Sequence, residues 1–338
     1  MTTLNSVTGP IDSADLGFTL MHEHVCSTSP GIWQAWPELL GGRENFLNEV
    51  VETLRSAKQA GITSFVDVTT IDLGRDIHLI REAAERSEMT ILACTGHWLD
   101  ASRSMQVRTV DEITEFFLKE IEVGIEGTDI KAAIIKVAND VTPQLTPFGE
   151  NICRAAARVH RATGVPITTH AGAKLELGLR QAEIFEDEGV DPARVYIGHS
   201  DDTDSMNYLT GLLDRGYWVG LDRIVLGYRI NPPFNVRAEI AAELVKRGYR
   251  EKICISHDYP LGLTLHSTEA EQVRQSHVPE DIQFILKRYL PTLKEHGVTD
   301  EDIDQIMVTN PRNYFEAKGP AAGRPGDTRA QAPAASRH

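Results

Sequence analysis

Short apolar segments alternate with longer amphipathic segments along most of this 338-residue chain. The short segments are typical of buried β-strands, and the longer ones have apolar residues at three- and four-residue intervals, as helices do. The predicted strands are residues 18–22, 63–69, 90–95, 132–137, 166–170, 195–199, 217–222 and 252–258. The clearest predicted helices are residues 43–59, 110–125, 151–162, 175–188 and 236–247.

This alternation predicts a fold of the α/β class. Eight strand–helix units spread over about 250–300 residues are what a closed (β/α)8 TIM barrel requires. A doubly wound sheet would have a glycine-rich phosphate loop after its first strand, but here that place holds MHEHVCSTSPG. Because no linker divides the middle of the chain, we predict a single TIM-barrel domain over residues 1–317. Residues 318–338, rich in Ala, Gly, Pro and Arg, are predicted to be a disordered tail.

The charge balance and the spacing of the cysteines restrict the kinds of molecule that the protein can bind. There are 34 Lys and Arg against 49 Asp and Glu, a formal net charge of −15, which disfavours nucleic acid and anionic membranes. No apolar stretch approaches the ~20 residues that span a bilayer. The four cysteines, at positions 26, 94, 153 and 254, form no CxxC pair, so neither a disulfide framework nor a thiolate zinc site is expected. We therefore predict a cytoplasmic protein that acts on a small molecule.

Histidines and an aspartate stand where four of the predicted strands end. Active sites of TIM barrels lie at the carboxyl ends of the strands. The first strand ends in His22-Glu23-His24, and strand alternation points the two histidines to the same side. Other strands end in His170, His199 and Asp258. A single histidine would usually be structural, but four imidazoles and a carboxylate at one end of a barrel indicate a metal site.

A lysine, Lys136, ends the apolar run AAIIK in the fourth strand. Three interpretations are open from the residues alone. The amine could reach solvent or pair with an acid such as Asp140. It could be a desolvated amine that forms a Schiff base. It could also take up carbon dioxide and become a carbamate, an anion able to bridge two metals.

Motifs spread over the ordered part of the chain resemble the phosphotriesterase family of the amidohydrolase superfamily. They are GPI and LGFTLMHEH, then IIKVA, GVPITTHAGA, IGHSDDTD, GYWVGLDR, SHD and VTNP. The resemblance implies a TIM barrel, a homodimer and two divalent metal ions, zinc or else cobalt, manganese or iron. It assigns His22, His24 and Asp258 to one ion and His170 and His199 to the other, with carboxylated Lys136 bridging both.

The reaction implied by this ligand set is hydrolysis. Two neighbouring divalent ions lower the pKa of a bridging water, and the resulting hydroxide is the nucleophile. Asp258 would accept the proton, and Asp202 resembles the family's acid further along the proton route. Capping of the next helix is the alternative for Asp201 and Asp202, and we prefer it for Asp201.

The substrate signals are mixed. Arg223 and the short segment 224–234 resemble lactonase-type members, whereas Trp98 and the segment CSTSPGIWQAWPELL, which begins with Cys26, resemble phosphotriesterases. Arg223 would contact the substrate oxygen, with a surface ion pair as its alternative. The long segment 259–277 is predicted to be a lid. The residues predicted to contact substrate are Cys26, Trp98, Arg223, Leu261, Leu263 and Leu265.

These observations predict a binuclear-metal hydrolase that opens lactones. N-acyl homoserine lactones are the expected substrates, which would make the enzyme quorum-quenching, with promiscuous hydrolysis of organophosphate triesters. The main alternative is a dedicated phosphotriesterase, or aryldialkylphosphatase. Further alternatives are a mononuclear amidohydrolase such as a deaminase, a Schiff-base lyase that uses Lys136, and a non-catalytic barrel that only binds ligands.

Overall fold

The computed structural model describes residues 2–99, 101–140, 142–263 and 268–316, with residues 263, 268, 270 and 271 described by their backbone. The predicted tail, residues 318–338, lies outside this range. The strands are β1 Thr3–Ser6, β2 Gly9–Asp12, β3 Thr19–Ser27, β4 Ser64–Asp67, β5 Thr90–Gly96, β6 Ile134–Asn139, β7 Ile167–Ala171, β8 Val195–Ile197, β9 Trp218–Leu221, β10 Ile253–Ile255 and β11 Pro260–Leu263. The helices are α1 Ile32–Ala35, α2 Arg43–Gln59, α3 Ile77–Ser87, α4 Arg103–Gln106, α5 Val110–Glu122, α6 Pro147–Thr163, α7 Leu177–Asp187, α8 Met206–Asp214, α9 Phe234–Lys246, α10 Thr268–His277, α11 Leu290–Glu295, α12 Asp300–Asp304 and α13 Asn310–Glu316.

Nine parallel strands form one curled sheet, which confirms the predicted TIM barrel. Their order is β10-β9-β8-β7-β6-β5-β4-β3-β11, and β1 and β2 form a separate antiparallel pair. β10 pairs with β9, and β11 pairs with β3. β10 and β11 are thus two halves of the eighth barrel strand, each bonded to one neighbour. The backbone N–H of Asp258, between them, donates to the carbonyl of His22 at 3.1 Å and completes the closure.

Most predicted strands differ from the structure by one to three residues in their bounds, and the first and the eighth differ in a way that bears on the site. The eighth strand, predicted as residues 252–258, stops at Ile255 because the backbone turns before β11, with Asp258 in the left-handed region at a φ of 55°. The first strand, predicted to end at His22, continues to Ser27 because β11 pairs along its second half. Part of the predicted lid is therefore a strand.

The helices begin and end where local chemistry satisfies their free backbone groups. At the start of α5, Thr109 and Glu112 form a reciprocal capping box. α6 begins four residues earlier than predicted because Thr146 caps it and Pro147 occupies its first turn. It ends at Gly164, whose φ of 75° suits a residue without a Cβ.

The sheet separates two hydrophobic clusters. The outer cluster packs the barrel against its helices. The inner cluster consists of side chains at alternate positions of the strands. Tyr314 of α13 covers the amino-terminal end of the barrel, where its hydroxyl donates to the carbonyl of Ile167 at the start of β7. Apolar side chains thus fill the amino-terminal part of the barrel and leave the carboxyl ends of the strands for polar groups.

The four cysteines are free and buried, and burial raises the pKa of the Cys26 and Cys153 thiols to about 12. Among the described residues, every helix is too short or too polar to cross a bilayer.

A buried carboxylate, Glu23, holds the turn that joins the two halves of the eighth strand. One of its oxygens accepts from the hydroxyl of Ser256 at 2.7 Å and from the backbone N–H of His257 at 2.8 Å. The same oxygen lies 2.8 Å from Nδ1 of His257, and the other accepts from the backbone N–H of Tyr259 at 2.8 Å. Glu23 therefore adds one carboxylate that joins β3 to both sides of this turn.

We expect Glu23→Ala to lower the free energy of unfolding by about 3–5 kcal/mol, because several buried donors lose their acceptor at once. Glu23→Gln is the matched control; its amide keeps one acceptor oxygen, so the loss should be smaller. Urea denaturation followed by circular dichroism measures both. A loss below about 1 kcal/mol for Glu23→Ala would show that the turn does not depend on this carboxylate.

Candidate active site

The six residues predicted as metal ligands converge at the carboxyl ends of the barrel strands. Five of them are buried, and the side chain of the sixth, Asp258, is 12% exposed. They are His22 and His24 on β3, Lys136 on β6, His170 on β7, His199 directly after β8, and Asp258 between β10 and β11.

Three of these groups face one another on one side of the cluster. Nε2 of His24 lies 3.1 Å from Oδ1 of Asp258, and Nε2 of His22 lies 3.8 Å from the same oxygen. The ligand atoms of the three residues are all within 4.8 Å of one another, close enough to hold a single ion. The Lys136 Nζ is 2.8 Å from Nε2 of His22, which places the amine inside the cluster.

The other two histidines form a pair beside this group. Nε2 of His199 and Nδ1 of His170 are 2.9 Å apart, with the ring planes nearly perpendicular. Nε2 of His199 is also 3.8 Å from Oδ2 of Asp258. Asp258 therefore lies between the two groups of histidines.

Each of the four imidazoles has an outer partner on its remaining nitrogen. Nδ1 of His24 contacts the hydroxyl of Thr69 at 2.8 Å, and Nε2 of His170 contacts Asp140 at 2.7 Å. Nδ1 of His22 and Nδ1 of His199 contact the two oxygens of one carboxylate, Asp222, at 3.1 and 2.8 Å. Such partners fix the orientation and tautomer of histidines that bind metals.

Asp222 is the main residue of the site that the sequence reasoning missed. It is fully buried and also accepts from the Tyr196 hydroxyl at 2.9 Å. Its position directly after β9 was the available signal, because a strand end in a barrel points toward the site. Asp222 could itself join a metal group with His22 and His199. Since it contacts their Nδ1 atoms, it leaves both Nε2 atoms directed at the centre of the cluster.

Burial favours the neutral imidazoles of His22, His170 and His199. It lowers the pKa of His22 and His199, and with the charge of Arg223 it lowers the pKa of His170 to about 4. Burial also lowers the pKa of Lys136 to about 8. For Asp258, burial alone would raise the pKa, but its interactions with the neighbouring His199 and with the positive charge of Arg223 outweigh burial and hold that pKa well below its usual range.

The donor set fits divalent cations. Metal ligation requires neutral imidazoles and an ionised carboxylate, which are the protonation states that this environment favours near neutral pH. The imidazole nitrogens that face the centre lie near the Asp258 carboxylate or near one another, whereas the outer nitrogens have polar partners. The cluster therefore has the composition of a metal centre.

Arg223 joins two of the site's acids. Its Nε donates to Oδ2 of Asp258 at 2.8 Å, and its Nη1 donates to Oδ2 of Asp202 at 2.9 Å. Its side chain is only 14% exposed, so the alternative of a surface ion pair is wrong: the ion pair exists, but it lies within the site. Arg223 and Asp202 are thus both connected to Asp258.

The preferred interpretation of Asp201 as a helix cap is wrong. Ser205, not Asp201, caps α8 by accepting from the backbone N–H of Tyr208. The buried Asp201 carboxylate instead accepts from the backbone N–H of Arg223 at 3.2 Å and pairs with Arg237 at 2.7 Å. A helix cap needs a residue directly before the helix, and α8 begins only at Met206, after four residues that follow Asp201.

The residues predicted to contact substrate are placed less uniformly. Trp98 lies at the site, where its Nε1 donates to Nδ1 of His170 at 3.2 Å. Cys26 is part of the outer hydrophobic cluster and Leu261 packs against it. Leu263 is the last residue of β11, and Leu265 lies outside the described residues. Substrate contact by these three leucines and Cys26 stays a prediction.

Comparison with known proteins agrees with this geometry. The sequence profile of the phosphotriesterase family matches residues 2–315. The phosphotriesterase homology protein of Mycobacterium tuberculosis is 38% identical over 335 residues, covering 94% of this chain and 99% of the relative. The aryldialkylphosphatase of Saccharolobus solfataricus is 38% identical over 307 residues, covering 90% and 96%. The N-acetyltaurine hydrolase of Xenopus tropicalis is 26% identical over 353 residues, covering 93% and 98%.

The match extends over nearly the whole described chain, and the relatives with named activities are hydrolases. The barrel and the cluster of histidines at its carboxyl end are the fold and site expected from the motifs. The chain therefore belongs to the phosphotriesterase family and is a hydrolase.

Proposed function

We propose that this hydrolase uses two metal ions to open lactones, with N-acyl homoserine lactones as its main substrates and phosphotriesters as a side reaction. Destruction of such signalling lactones would be quorum quenching. The observation that supports this proposal best is the position of Arg223 between Asp258 and Asp202.

The proposed metal ligands are the six converging residues. His22, His24 and Asp258 would hold one ion and His170 and His199 the other, with Lys136 as a carbamate contacting both. Zinc, cobalt, manganese and iron all accept such nitrogen and oxygen donors. Bound there, the ions would supply an activated water and polarise the C=O or P=O oxygen of the substrate.

Arg223 determines what can happen to the proton that Asp258 accepts. A guanidinium stays protonated at any ordinary pH, so Arg223 cannot take that proton and pass it to Asp202. Its two hydrogen bonds instead hold the Asp258 carboxylate in one orientation. Without a route to Asp202, the proton that Asp258 accepts can leave it only at the reacting centre.

A proton that is available only at the reacting centre favours the opening of a lactone. When the ring opens, the leaving oxygen is an alkoxide, a strong base that needs a proton, and Asp258 can return one to it. A phenolate from an aryl phosphotriester is far less basic and leaves without protonation. The arrangement therefore favours substrates with poor leaving groups over activated phosphotriesters.

A dedicated phosphotriesterase is the second candidate. Two observations favour it: the 38% identity to a protein named aryldialkylphosphatase, and the aromatic side chain of Trp98 beside His170. Neither favours a particular leaving group, so we keep lactone opening as the first proposal.

The deciding experiment compares kcat/KM on N-acyl homoserine lactones with kcat/KM on the phosphotriester paraoxon, using protein reconstituted with each metal in turn. An N-acyl taurine serves as an amide substrate in a third arm. We expect the lactones to give the highest values. Lactone turnover near background, with paraoxon hydrolysed, would make the second candidate correct.

Arg223→His tests the argument about the proton on Asp258. An imidazole can accept and release a proton, so it would open a route from Asp258 to Asp202. We expect the ratio of kcat/KM for lactone to kcat/KM for paraoxon to fall by roughly 10-fold. Arg223→Lys is the matched control, because it keeps the charge without a relay near neutral pH. An unchanged ratio in Arg223→His would contradict the proposed role.

Rival mechanisms make opposite predictions. The activity of a Schiff-base lyase that uses Lys136 would persist with metal chelators and would be lost on treatment with borohydride in the presence of substrate. The activity of the proposed hydrolase would be lost with chelators and would persist after borohydride treatment. A mononuclear amidohydrolase would contain one metal per chain and would not need Lys136. A non-catalytic barrel would show no turnover with any metal.

The proposed carbamate predicts a pH dependence for reconstitution. Only the neutral amine attacks CO2; the new N–C bond forms as one proton leaves. With a pKa of about 8, about half of the Lys136 amine is neutral at pH 8 and about 1% at pH 6. We therefore expect metal-free protein to regain activity about fifty-fold faster at pH 8 than at pH 6 when dissolved CO2 is held constant. A rate that is flat over this range would contradict carboxylation of Lys136.

A further inference from the structure

We propose that Arg237 is a positioning residue that fixes Arg223 and the segment 230–233 as one unit, and so holds Asp258 in its reactive orientation. The inference rests on the proposed roles of Arg223 and Asp258. Arg237 lies on α9, in a helix rather than at a strand end, and no motif points to it.

The Arg237 guanidinium neutralises two adjacent acids. Its side chain is fully buried, with an exposed fraction of 0%. Nη2 donates to Oδ1 of Asp202 at 2.8 Å, and Nη1 lies 2.7 Å from Oδ2 of Asp201. Asp202 uses its other oxygen for Arg223. One carboxylate therefore connects the two arginines, and Arg223 continues the connection to Asp258.

The same guanidinium also binds the segment after β9. Its Nε donates to the carbonyl of Pro232 at 2.7 Å, and Nη2 donates to the carbonyl of Ile230 at 2.9 Å. This segment belongs to the stretch that follows Arg223 in the chain. Arg237 thus ties the acids after β8 and the loop after β9 to a single rigid helix.

Loss of Arg237 would change the balance around Arg223. Asp201 and Asp202 would remain buried without their partner, and the Arg223 guanidinium, which already pairs with Asp202, would be drawn toward them and away from Asp258. A cavity of about 380 Å³ lined by Asp202, Asn231, Pro232 and Pro233 gives the released segment space to move. A shift of about 1 Å in a positioned group costs roughly 10²-fold in rate.

Lysine could replace only part of this function. Its ammonium is a compact charge on a flexible stem, whereas the planar guanidinium meets two carboxylates and two carbonyls at fixed angles. Arg237→Lys should therefore restore the charge balance and only some of the geometry.

A double-mutant cycle tests the inference. We would measure kcat, KM and metal content for Arg237→Met, Arg237→Lys, Arg223→Met and the double variant Arg223→Met/Arg237→Met. Both a homoserine lactone and paraoxon are used as substrates. Arg194→Met is the matched control: Arg194 is also buried, but it binds the backbone carbonyls of Gly164, Tyr314 and Phe315 at the other end of the barrel.

We expect Arg237→Met to lower kcat by about 10- to 100-fold with both metals retained and KM changed less than about threefold. Arg237→Lys should fall between it and the parent. Because Arg237 acts through Arg223, the double variant should be no slower than Arg223→Met within about twofold. Losses that multiply in the double variant, or a kcat for Arg237→Met that matches Arg194→Met, would overturn the inference.

Hydrogen exchange gives a readout that needs no turnover. The backbone amides of the segment 224–233 should exchange faster in Arg237→Met than in the parent, and at the parent rate in Arg194→Met. Equal exchange in both variants would overturn the inference.

The two proposals can fail separately. If only paraoxon is hydrolysed, lactone opening is wrong, but the cycle still decides the role of Arg237. If neither substrate is turned over, the exchange comparison decides it.

Discussion

Lys136→Ala is expected to lower kcat/KM by roughly 10³-fold or more on every substrate, because the proposed carbamate is the one ligand common to both ions. The position of the amine supports this role. Nζ lies 2.8 Å from Nε2 of His22, and the side chain is fully buried. Burial lowers the pKa of this amine to about 8, so a neutral amine is available to take up CO2. Steady-state kinetics and metal analysis measure the loss.

Small carboxylates added to the Lys136→Ala variant should partly rescue its activity. Removal of the side chain leaves space in which a small carboxylate can substitute for the carbamate, so added formate, acetate or propionate should recover part of the activity. Lys174→Ala, at an exposed lysine after β7, is the matched control and should change nothing. Full activity with both metals in Lys136→Ala would show that the bridging role is wrong.

Asp222→Asn is expected to weaken metal binding by about 10²-fold and to lower kcat/KM by a similar factor. The Asp222 carboxylate accepts from Nδ1 of His199 at 2.8 Å and lies 3.1 Å from Nδ1 of His22, so it orients both rings. An asparagine of the same shape has one acceptor oxygen and one amide that donates, so one ring would have to change its tautomer. That ring would then present a proton toward the metal.

Competition with a zinc chelator measures the affinity of Asp222→Asn. Tyr196→Phe is the control, because it removes a partner of Asp222 while leaving the carboxylate on both rings. Its effect should be below about 10-fold. Equal affinities for Asp222→Asn and the parent would mean that Asp222 does not orient the ligands.

The convergence of the proposed ligands could be anticipated from sequence because barrel geometry brings strand ends together. A histidine or aspartate at the end of any strand points to the same place, whichever strand carries it. The positions of His170 and His199 follow from this rule alone. Asp222 obeys the rule too, because it directly follows β9.

Other features depend on tertiary contacts that no local pattern reveals. Glu23 lies between two predicted ligands, and its role becomes visible only when the turn of the eighth strand is placed beside it. Arg237 resembles any arginine of an amphipathic helix until α9 is seen to bring it against Asp201 and Asp202. The interruption of the eighth strand also could not be predicted, because the residue in the left-handed conformation is Asp258 and not a glycine, which would have indicated a turn.

The most direct test of a two-metal lactone hydrolase is a crystal structure of the reconstituted protein with an unreactive lactone analogue. Anomalous diffraction should locate two metal ions, with a carbamate on Lys136 contacting both. The carbonyl of the analogue should lie at this centre beside Asp258. A single ion, a bare Lys136 amine or an analogue bound away from the histidines would contradict the proposal.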